Sequence, residues 1–126
     1  MTPFAVGGPY QVDLNYYFPD LNTVYINFGA ATIGPSVEYP FIDSGYYSVN
    51  FKLRKMTITY AQYVSWNNAA TFNGLVATSL TSGLPQPAYF ISYTAYPGTL
   101  TSTTSTIALN WQGLSFNQGD KIVIGW

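Results

Sequence analysis

The chain has 126 residues, enough for one domain with a substantial buried core and too few to divide comfortably into two. Apolar residues form 48% of it and aromatic residues 18%, whereas charged residues form only 7%, against roughly 25% in an ordinary soluble domain, so disorder is excluded and a packed core is required. Five acidic against four basic side chains leave a net charge of −1 and no basic stripe, which argues against a nucleic-acid partner and against a polybasic membrane anchor.

Residues 1–9 read as an N-terminal arm without an export or targeting signature, a candidate anchor, and residues 10–126 as a single domain. Tyr10 to Tyr16 and Asn22 to Phe28 alternate on either side of Phe18-Pro19-Asp20 and predict two short strands. From Gly45 to Tyr60 the alternation is clearest. Tyr47, Val49, Phe51 and Leu53 fall on one face against Tyr46, Ser48, Asn50, Lys52 and Arg54, Lys55 breaks the pattern, and Met56, Ile58 and Tyr60 resume it. This is the signature of two half-buried antiparallel strands or of one strand with a bulge. Three of the four basic residues crowd here as Lys52, Arg54 and Lys55, which reads as the solvated face of a strand rather than an anion site.

Phe72-Asn73-Gly74-Leu75 carries an Asn-Gly pair and predicts a hairpin turn between Ala69 to Phe72 and Leu75 to Thr78. After Pro85 and Pro87, Ala88 to Ala95 predicts a strand with Tyr89, Ile91 and Tyr93 on one side and Phe90 and Ser92 on the other. Aromatic residues on both faces suit a strand whose outer side is covered, for instance by a second subunit. Thr99 to Thr106 reads as an exposed loop entering a threonine-rich strand, Ile107, Leu109 and Trp111 alternate with Ala108 and Asn110 after it, and Asn117 to Asp120 reads as a turn. Lys121 to Trp126 closes the chain as a strand with Ile122, Ile124 and Trp126 on one face. No helical periodicity persists for three turns, and no window approaches the roughly 18 apolar residues of a membrane-spanning helix. The expected fold is an all-β antiparallel sandwich or barrel, with Tyr47, Val49, Phe51, Leu53, Ile107, Leu109, Ile122 and Ile124 in its core.

The residue inventory narrows the chemistry. Without histidine or cysteine there is no nucleophile–histidine pair, no thiolate and no histidine-ligated metal, so catalysis would rest on Asp13, Asp20, Glu38, Asp43 and Asp120. Asp43 and Asp120 stand beside glycine in turn-like contexts, and no spacing resembles a calcium loop. Gly7-Gly8 is followed by proline, so no phosphate-cradling loop is formed. No enzyme, cofactor or metal site is therefore expected.

Two stretches carry a family resemblance. Phe41-Ile42-Asp43-Ser44-Gly45-Tyr46-Tyr47-Ser48-Val49 resembles the aromatic, Gly-Tyr-Tyr strand start of C1q and tumour-necrosis-factor-like jelly rolls, and Leu114-Ser115-Phe116-Asn117-Gln118-Gly119-Asp120-Lys121-Ile122-Val123 is similar to their final hairpin. The middle of the chain looks like the small jelly-roll heads of phage head fibres and capsid decoration proteins. The resemblance implies a jelly roll of about eight strands that assembles as a trimer. It further implies a structural virion protein on the capsid exterior, a cement or head-fibre protein whose partners are its own copies and the major capsid protein. Low charge points the same way, since a symmetric oligomer hides apolar area that a monomer must leave in water. Tyr46, Tyr89, Tyr93, Trp111 and Trp126 are the interface candidates, as large aromatics with polar tips. The alternative is a carbohydrate- or receptor-binding module that meets a host-surface glycan through Trp66, Trp111 or Tyr96.

Overall fold

In the computed structural model residues 11–52, 54–81 and 87–126 are described, so the predicted arm at 1–9, Leu53 and Pro85 lie outside the described residues. Among the described residues there are twelve strands and no helix: β1 (Gln11–Tyr17), β2 (Val24–Thr32), β3 (Tyr39–Ile42), β4 (Tyr47–Lys52), β5 (Lys55–Tyr60), β6 (Val64–Ser65), β7 (Gly74–Ser79), β8 (Tyr89–Tyr93), β9 (Thr99–Ser102), β10 (Thr106–Asn110), β11 (Ser115–Phe116) and β12 (Lys121–Gly125). Two five-stranded sheets, ordered β2-β1-β7-β10-β9 and β3-β4-β5-β12-β8, are accompanied by the short β11-β6 pair. Every pairing is antiparallel. The fold is thus the expected all-β sandwich, with the chain passing between its sheets repeatedly in a jelly-roll-like manner.

Period-two patterning explains the interior. Val12, Leu14 and Tyr16 of β1, Leu75 and Ala77 of β7, and Ile107 and Leu109 of β10 form one inner face. Tyr47, Val49 and Phe51 of β4, Met56, Ile58 and Tyr60 of β5, and Ile122 and Ile124 of β12 form the other, in one continuous cluster. Seven of the predicted core residues are in it, each at most 4% exposed. The break at Lys55 is a hairpin: β4 and β5 pair without interruption from Tyr47↔Tyr60 to Lys52↔Lys55, and Arg54 takes φ +56° in the connection.

Three readings of local pattern need correction. Asn73-Gly74 is not a hairpin turn: Asn73 is 1% exposed and Gly74 opens β7 against β10, where a Cβ would stand 1.9 Å from the Leu109 carbonyl oxygen. Close backbone approach, rather than turn conformation, demands that glycine. In β8 the register against β12 slips, so that Tyr93 pairs with Ile122 and Phe90 with Ile124. Cross-strand partners share a face, so Tyr93 joins Phe90 (ring centroids 5.6 Å apart) while Tyr89 and Ile91 lie over Gly125. In β2 two register shifts leave Phe28 and Tyr25 as extra residues against β1, which breaks the predicted alternation. The Ser/Thr-rich stretch also holds more order than a loop: β9 and β10 form a hairpin closed by the Thr103 Oγ1–Thr106 Oγ1 contact at 2.8 Å.

Candidate functional site

At one end of the sandwich the core is aromatic. Trp66 and Trp111 stack at 5.2 Å, Tyr60 and Phe116 at 4.4 Å, and Tyr47 meets Trp111 edge-on at 5.4 Å. Tyr16 extends the cluster, with its ring 5.4 Å from Trp66. Hydroxyls inside it find partners. Tyr16 donates to Asn73 Oδ1, Asn73 Nδ2 donates to the Asn67 carbonyl at 3.1 Å, and Trp66 Nε1 donates to the Tyr60 hydroxyl at 3.0 Å. Burial is the first cause that raises the pKa values of Tyr16, Tyr47 and Tyr60, and it pushes Tyr39 up to about 12.

Each of the five carboxylates accepts hydrogen bonds within the frame. Asp13 accepts from Asn15 Nδ2, Asp20 from the Asn22 amide and the Thr23 hydroxyl, and Glu38 from the amides of Gly34 and Phe51. Asp120 accepts from the Asn117 amide and the Thr94 hydroxyl, as the turn reading of that segment expects. Asp43 accepts from the Tyr47 hydroxyl at 2.9 Å. Burial raises its pKa, against the lowering effect of that bond. Two of the clustered cations are likewise committed to the frame, Lys52 Nζ to the Pro35 carbonyl and Arg54 Nε to the Trp126 carbonyl, both at 2.8 Å.

The interface candidates divide. Trp111 and Trp126 are 0% and 1% exposed and belong to the core of the single chain, so neither is an interface residue. Packing decides this even against polarity: Trp111 Nε1 is buried without a hydrogen-bond partner, in a cluster whose ring contacts outweigh the unmet donor. Trp66, at 8%, is likewise too enclosed to stack on a sugar. Tyr46 is half-buried against the core. Tyr89 and Tyr93 are 49% and 54% exposed on β8, which is an edge strand, and Tyr96 is exposed beyond it.

On the opposite flank the edges are β2 and β3, laced by a 2.7 Å bond from the Tyr39 hydroxyl to the Gly29 carbonyl. Tyr25 and Phe41 stand out of it at 65% and 69% exposure, and the sequence marked neither as a site residue. Their signal was an alternation that fails, which marks a bulge only once the partner strand is known.

No protein-family model matches the chain, and neither the characterised proteins nor the solved structures include one that is significantly similar to it. The jelly-roll family resemblance therefore rests on the residues quoted for it.

Proposed function

We propose that this protein is a structural component that works by contact, a homotrimeric cement or head-fibre protein of a phage capsid, with β8 as its copy-to-copy edge. The observation that supports this reading is the edge itself. Sheet edges are usually blunted by charge or proline. Between Tyr89 and Tyr93, β8 carries neither, and it leaves Tyr89, Ile91 and Tyr93 about half exposed. In a chain with 7% charged residues such an edge is a contact surface, and a head-to-tail contact that closes after three copies hides it completely. The capsid exterior and the major capsid protein as partner follow from the resemblance. Light scattering should find a trimer, and Ile91→Lys should release monomers with an unchanged circular-dichroism spectrum; a monodisperse wild-type monomer overturns the trimer. Added to particles that lack it, the protein should rebind and raise their rupture temperature by mass action. Failure to rebind overturns the capsid role.

A further inference from the structure

We propose that the β2–β3 flank is the surface that receives β8 of the next copy, so that the chain assembles head to tail through two different faces. This rests on the reading of β8 as a copy-to-copy edge and names what that edge meets.

The exposed apolar side chains gather on two flanks. Tyr89, Ile91 and Tyr93 form one group, on β8. Val24 and Tyr25 on β2, with Val37 and Phe41 beside and in β3, form the other. The two edges of this second flank are tied together by the Tyr39 hydroxyl on the Gly29 carbonyl at 2.7 Å. The remaining edge, β9, lies on the β8 side, where the Ala88 amide donates to Ser102 Oγ at 3.0 Å. A contact of the β8 flank with itself closes at two copies, whereas a ring of three needs two different patches. The β2–β3 flank is the second patch.

Charge divides along the same line. Asp13 on β1 pairs with Ala30 of β2, Asp20 lies in the β1–β2 turn, and Glu38 and Asp43 bracket β3. These four acids accept hydrogen bonds from amides and hydroxyls, and the one cation in that half, Lys52, is committed to the Pro35 carbonyl. Four acids against one lysine leave a net −3. On the β8 side, Arg54 Nε donates to the Trp126 carbonyl, Lys55 stands opposite Gly125, itself the partner of Tyr89, and Lys121 opens β12. Three cations against Asp120 leave a net +2 there, with Lys55 and Lys121 exposed. Opposite signs held on opposite halves of one chain are complementary between copies set head to tail.

The edges also fix the kind of contact. In β3, Pro40 has no amide hydrogen, Phe41 takes φ +50° and the pairing with β4 slips between Tyr39 and Ile42. On β2 the Gly29 amide is taken by Asn27 Oδ1 at 2.7 Å. Neither edge offers a regular ladder to a new strand. A ring of three also turns each copy by a third of a turn, so β8 meets the flank obliquely, through side chains. With β2 nine residues long and the sheets about 10 Å apart, the flank measures roughly 30 by 20 Å, on the order of the 800 Å² per partner of a stable interface.

The test uses light scattering on the full chain at micromolar concentration, where the wild type should be oligomeric. Phe41→Lys puts a cation where the cationic half of the next copy arrives, and Ile91→Glu puts an acid against the acidic flank. Each should be monomeric. Mixed in equal amounts they should form a two-chain species, because the first variant keeps its β8 and the second keeps its β2–β3 flank. Both should unfold at the urea midpoint of the dissociated wild type, as exposed sites do. If Phe41→Lys does not fold, Val37→Lys takes its place with the same expected outcome. A monomeric wild type overturns the reading of β8 as a contact edge, and the flank pairing with it. A flank variant that stays oligomeric, or a mixture that stays monomeric, overturns the flank pairing alone.

Discussion

The β4–β5 hairpin and the β2–β3 flank are built from similar residues and behave differently. In the hairpin six consecutive pairs hold register, and Tyr47, Val49, Phe51, Met56, Ile58 and Tyr60 are all at most 1% exposed. On the flank, β2 is the longest strand, yet it slips register twice, passes through φ +84° at Gly29 and leaves Val24 and Tyr25 in solvent. β5 has a strand on each side and a second sheet beneath it, so any slip would turn its apolar face to water. Among the described residues β2 and β3 each lack one neighbour, so their backbones depart from regular pairing at lower cost and can aim side chains elsewhere.

The largest test of that contrast replaces the same residue type in the two places. Phe51→Ala should lower the unfolding free energy by about 3 to 5 kcal/mol in urea denaturation, the usual loss for a buried phenylalanine. Phe41→Ala should change it by less than about 0.5 kcal/mol, as for other exposed sites. Comparable losses would mean that the flank is as tightly packed as the hairpin. Gly74→Ala should cost about 1 to 3 kcal/mol in the same measurement, because β10 must move away from the new methyl group. Were Asn73-Gly74 a turn, the loss would track φ and not the β7–β10 contact.

Tyr16→Phe probes the bridge between the two regions. It leaves Asn73 Oδ1 without its donor in a residue 1% exposed, and should cost about 1 to 3 kcal/mol. The smallest effect concerns Asp43. Its pKa is raised above the ordinary 3.8 by burial, so the folded state holds that proton more tightly than the unfolded chain does. Its contribution to stability is fully present below 3.8 and is lost as pH rises through the folded-state value. Thermal melts should therefore show a gain on acidification from this group that disappears in Asp43→Asn. An identical pH profile in both chains would mean that the carboxylate is not desolvated in its corner.

How far the sequence could be read depended on which residues obey period two. In β4, β5, β10 and β12 each inner position is apolar because both neighbours and the opposite sheet are present, so the all-β class and seven core residues were legible from alternation alone. The irregular flank of β2 and β3 was not. Tyr25 and Phe28 look like misplaced members of an alternating strand until β1 is laid beside them, and Asp43 looks like an ordinary turn aspartate until Tyr47 is seen to donate to it.

Composition and periodicity by themselves determined that this chain is an all-β protein with an apolar interior, because strands with one alternating apolar face must bury that face. Only the tertiary structure decided which aromatics face water. Trp111 and Trp126 lie in the core, Tyr89 and Tyr93 on an open edge and Tyr25 on a bulge. A side chain's exposure at a strand end or edge depends on the strand and sheet that happen to lie against it, and nothing local encodes that neighbour.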